Sequence, residues 1–129
     1  MLEDDIGRKV VHSAYRVHRD LGPGLIESVY EIALAYELRE QGVAVDRQVS
    51  VPLVYRGIRF DEGFRIDRLV ESKVILEIKS IEAMNNAHRK QLLTYLRLSG
   101  HKLGFLLNFG QALMKQGIVR MANRLEETR

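Results

Sequence analysis

Val74-Ile75-Leu76-Glu77-Ile78-Lys79-Ser80-Ile81 reads as a central β-strand that carries two charges in an otherwise apolar run. Glu77 and Lys79 stand two residues apart, so both project from one face of the strand. A buried charge is expensive unless it is paired or coordinated. The plain reading is a satisfied ion pair or a solvated edge; the sharper one is a site. Glu-x-Lys is a short pattern, and Glu71-Ser72-Lys73 is a second match, which falls in a turn.

Working outward, the preceding strand contains Phe64-Arg65-Ile66-Asp67-Arg68-Leu69-Val70, and a hairpin brings Asp67 beside Glu77. Register decides whether the two acids meet, because a slip of one residue reverses every side chain. A two-residue turn at Glu71-Ser72 pairs Asp67 with Leu76 and points it away. A three-residue connection, Glu71-Ser72-Lys73, places Val70 opposite Val74 and Asp67 opposite Glu77; a bulge could do the same. Two adjacent carboxylates repel, so one keeps its proton unless a cation neutralises them. Ligation by oxygen alone suits Mg²⁺ or Mn²⁺ rather than zinc.

The rest of the chain supplies helices around this hairpin. Ile6, Val10, Ala14 and Val17 have helical spacing, and Gly22-Pro23-Gly24 ends that segment. A second helix is expected from Leu25 to Gln41, stopping at Gly42. Its main apolar stripe is Leu25, Val29, Ile32 and Tyr36, with Tyr30, Leu34 and Leu38 nearly opposite, which predicts a helix covered on two sides. Glu27 lies with the second set and offers a third carboxylate; its plain reading is an acid complementing the helix dipole. Strands are expected over Val49–Tyr55 and Ile58–Val70, with a turn at Arg56-Gly57 and an irregularity at Gly63. A third helix from Met84 to Ser99 aligns His88, Gln91 and Tyr95 on one face. Strands at Leu103–Phe109 and Ile118–Asn123 complete the order ααβββαββ, an α/β chain with a mixed sheet flanked by helices and a single domain over residues 1–129.

Composition narrows the chemistry. There is no cysteine, which excludes disulfides, thiolate metal sites and cysteine nucleophiles. No apolar run spans a bilayer, and the acidic start Met1-Leu2-Glu3-Asp4-Asp5 is unlike a secretory signal, so a cytoplasmic protein with no membrane partner is expected. The net charge is +3, with 14 Arg against 6 Lys, a bias suited to phosphate oxygens. No phosphate-binding glycine loop and no nucleophile elbow occurs.

Four motifs in order carry a family resemblance. Gly24-Leu25-Ile26-Glu27-Ser28-Val29-Tyr30 is the G-x-x-E-x-x-Y signature of the GxxExxY protein family, which is similar to the PD-(D/E)xK nuclease superfamily. Asp67 with Glu77-Ile78-Lys79 resembles the D…E-x-K signature, with Ile66 in place of the proline. Gln91 to Tyr95 resembles the Q-x-x-x-Y element of the branch similar to the RecB nuclease domain. The resemblance implies a restriction-endonuclease-like αβββαβ core with an extra N-terminal helix. It implies Mg²⁺- or Mn²⁺-dependent hydrolysis of phosphodiester bonds in nucleic acid, most often DNA. Glu27, Asp67 and Glu77 would be the metal ligands and Lys79 the catalytic cation, with Gln91, Tyr95 and Tyr30 positioning substrate. A nucleic-acid-binding module without turnover and a protein-interaction subunit are the competing expectations. Fold likeness alone does not choose among them.

Overall fold

The structure is a computed structural model and describes residues 1–126. Helices α1 (Glu3–Leu21) and α2 (Glu27–Glu40) precede strands β1 (Val45–Tyr55), β2 (Ile58–Val70) and β3 (Val74–Lys79). Helix α3 (Asn86–Ser99), strand β4 (Leu103–Asn108), a 3₁₀ turn (Met114–Gly117) and strand β5 (Ile118–Ala122) follow. The five strands lie in sequence order, with β3 and β4 parallel and all other neighbours antiparallel. This is the mixed sheet the sequence predicts, and α3 is the crossover that a parallel pair requires.

Two apolar layers enclose the sheet. On one side Ile6, Val10 and Ala14 of α1 and Tyr30, Leu34 and Leu38 of α2 pack with Val74, Leu76 and Ile78. On the other, Leu92 and Leu96 of α3 pack with Ile66, Leu69, Ile75 and Leu106. Strict alternation along β3 therefore turns Glu77 and Lys79, in phase with Ile75, toward the α3 side.

Local chemistry sets the boundaries. Asn85 caps α3, its side chain accepting from the Ala87 and His88 backbone N–H groups while the His88 ring accepts from the Asn85 N–H. That capping role accounts for His88. Arg56 and Gly57 both have positive φ, 53° and 76°, the geometry of a tight hairpin turn. At Gly63 a Cβ would stand 1.8 Å from the Val51 carbonyl oxygen, so only glycine admits the register shift between Val51 and Leu53.

Helix α2 differs from expectation. Tyr30, Leu34 and Leu38 form the buried side, whereas Leu25, Val29, Ile32 and Tyr36 face solvent, with Ile32 61% exposed. The helix is apolar on both sides, so its own pattern cannot choose, and the face that reaches α1 and β3 is the one buried.

Candidate functional site

The β2–β3 hairpin has the register that a shared site needs. Val70 lies opposite Val74, Leu69 opposite Ile75 and Arg68 opposite Leu76, which sets Asp67 across from Glu77. Glu71 and Ser72 make the connection in the left-handed region, with φ of 52° and 55°. The Glu71 carboxylate accepts from the Ala44 N–H at 2.7 Å and ties the turn to the start of β1. Beyond Arg68 and Leu76 the ladder ends, and the Asp67 carboxylate reaches across to accept from the Ile78 backbone N–H at 3.3 Å.

A backbone kink stands behind Asp67. Its opposite residue in β1 is Gln48, between the pairs Arg47–Arg68 and Val49–Ile66, and Gln48 has φ 53°. Val45 and Val70 pack on the α1–α2 side, but Val49 and Ile66 pack on the α3 side. Both strands thus change face between these pairs, and Asp67 sits at the reversal.

Glu77 is only 4% exposed, and its Oε1 has no hydrogen-bond partner. Burial, then the charge of Asp67, push its carboxyl up to about 9 from an ordinary 4.5; Lys79 pulls the other way. Lys79, half-buried, ends β3, and its carbonyl accepts from the Phe109 N–H at 2.9 Å. Tyr95 stacks on Phe64, ring centroids 4.3 Å apart. Burial, then the charges of Glu77 and Asp67, raise the pKa of its hydroxyl, and the ring packs against the α3-side cluster, on the side to which Glu77 turns. Gln91 is exposed, one turn earlier on α3.

Glu27 and Tyr30 are placed differently. Glu27 is the exposed first residue of α2 and borders an open cleft of about 540 Å³ with Gly24, Ile26, Ser80, Glu82 and Gly110. Among the described residues, no three acidic or histidine side chains converge closely enough to form a complete metal site. Tyr30 was expected to position substrate, but it is fully buried and stacks on Phe109 at 4.5 Å. Its hydroxyl donates to the Gly22 carbonyl at 2.5 Å and accepts from the Leu25 N–H at 3.1 Å. The signature tyrosine therefore holds the glycine loop that precedes Glu27, with both hydrogen bonds of its hydroxyl made to that loop.

Three residues escaped the sequence reading. Arg68 and Glu31 form a buried ion pair at 3.3 Å, with side chains 4% and 10% exposed. Buried Asn108 accepts from the Ile81 and Gly110 N–H groups and donates to the Ile81 carbonyl, each at 3.0 Å, locking the chain just past Lys79. Gly110 is obligatory there, since a Cβ would stand 2.2 Å from the Ile81 oxygen. Asn108 had a visible signal, a polar residue closing an apolar strand; Glu31 and Arg68, 37 residues apart, had none.

A family model described as the PD-(D/E)XK nuclease superfamily matches residues 4–121. No curated protein and no solved structure matches the chain. No helix among the described residues is long and apolar enough to cross a membrane.

Proposed function

This chain belongs to the PD-(D/E)XK nuclease superfamily, and from that premise we propose that it hydrolyses phosphodiester bonds in DNA with Mg²⁺ or Mn²⁺. The observation that carries the reading is the Asp67–Glu77 pair, with a buried Glu77 Oε1 that has no partner. An oxygen-only donor set holding an orphaned acceptor fits a hard divalent cation. Asp67 and Glu77 would hold it, with Glu27 contributing through water from the N-terminus of α2.

When bound, the cation polarises the scissile phosphate and lowers the pKa of its water. Lys79 shares a strand face with Glu77, two residues on, and orients the attacking water or stabilises charge developing on the phosphate. Tyr95, on the same side of the sheet as Glu77, and Gln91, exposed on the same helix, position the substrate backbone. Arginine-rich surface neutralises neighbouring phosphates.

Lys79→Ala tests this. Cleavage of DNA in Mg²⁺ or Mn²⁺ is expected to fall by at least about 100-fold, while DNA affinity stays within a few-fold, because one cation contributes little of a backbone affinity. The separation of Glu27 from the pair favours one second reading, a DNA-binding module without turnover. Binding without cleavage by the native chain on single- and double-stranded DNA would select it.

A further inference from the structure

Arg68 follows Asp67 in β2, yet its side chain passes to the other side of the sheet and is buried beneath α2. There Nη2 meets Glu31 Oε2 at 3.3 Å, while Nε and Nη1 have no hydrogen-bond partner. A buried guanidinium with two unpartnered donors is costly, and an apolar pair of similar volume would commonly serve stability as well or better. Stability alone is therefore a poor reason for this pair. Its position supplies another. Glu31 lies one helical turn after Glu27, so the two share a face of α2. The ion pair thus joins the residue next to Asp67 to the turn of helix that begins at Glu27.

We infer that Arg68 is a positioning residue: through Glu31 it fixes the first turn of α2 against β2, and so sets Glu27 relative to Asp67 and Glu77. The inference rests on the metal-site reading above and adds the residue that aligns its two halves. Tyr30 holds the loop before Glu27, and Ser80 Oγ donates to the Leu25 carbonyl at 2.5 Å. Neither of these contacts reaches the strand that carries Asp67. Arg68 does.

The test separates alignment from stability. Mn²⁺ calorimetry and urea unfolding are run on the full chain as native protein, Asp67→Asn, Arg68→Lys and the apolar pair Glu31→Leu/Arg68→Met. The apolar pair is expected to unfold at native or higher urea concentration and yet bind Mn²⁺ about 10–100-fold more weakly, the usual loss when a group supporting a ligand is removed. A purely structural role predicts that restored stability restores affinity, so native stability with native affinity overturns the inference. Should the apolar pair fail to fold, Arg68→Lys decides. It keeps the charge but shortens the reach to Glu31, and at least a threefold loss of affinity is expected; native affinity overturns the inference. If Asp67→Asn abolishes binding while the apolar pair binds normally, this inference alone fails. If the native chain takes up no Mn²⁺, the metal reading fails and this inference with it.

Discussion

Glu77 holds its carboxyl inside the sheet's packed layer, where burial and the neighbouring Asp67 push it up to about 9. The unfolded chain titrates this group near 4.5. Since the folded value is the higher one, the proton-bound form favours the fold. That stability is fully present below about pH 4.5 and is lost as pH rises through about 9. In chelator, the melting temperature is expected to fall on the order of 10 °C between pH 5 and 9. Glu77→Gln cannot ionise and should flatten the decline; an unchanged slope would remove Glu77 from the account. Tyr30 makes the complementary case. Tyr30→Phe keeps the stack on Phe109 but leaves the Gly22 carbonyl and Leu25 N–H without their partner, a loss of about 1–2 kcal/mol by urea unfolding. A loss near zero would mean that the hydroxyl does not hold the loop. The sequence marks this tyrosine as important but hides why: a signature residue can touch substrate or brace the residue that does, and only burial distinguishes them.

At the scale of elements, the hairpin is where sequence reasoning reached furthest. Turn length alone sets whether Asp67 meets Glu77, and the three-residue connection with Val70 opposite Val74 is the register found. The kink at Gln48 was not legible, because glutamine gives no warning of a left-handed backbone. Gln48→Gly should relieve the strain and stabilise the chain by up to about 1 kcal/mol, leaving Mn²⁺ affinity unchanged. Gln48→Val, whose branched side chain resists positive φ, should destabilise it and weaken Mn²⁺ binding by straightening the strands behind Asp67. Denaturant unfolding and calorimetry read both effects. Equal Mn²⁺ affinity in the glycine and valine variants would show that the kink does not place Asp67. Helix α2 is ambiguous in sequence for a related reason: two apolar stripes of similar strength leave the choice of buried face to tertiary packing.

For the whole molecule, period and punctuation in the chain were enough to order eight elements and to expect a mixed sheet between helices. They could not supply the contacts between distant elements, such as Arg68 with Glu31 or Asn108 with Ile81, which sequence spacing does not encode. The site stands where the sheet opens: β3 ends at Lys79, α3 packs on the sheet face that Glu77 shares, and α2 begins beside the cleft at Glu27. Cleavage by this chain would require Asp67 and Glu77 to act together on one cation. Calorimetric titration of the native chain with Mn²⁺ at pH 8, beside Asp67→Asn, tests that most directly. The native chain should bind Mn²⁺ and the variant should not; equal binding by the two, or no binding by the native chain, would contradict it.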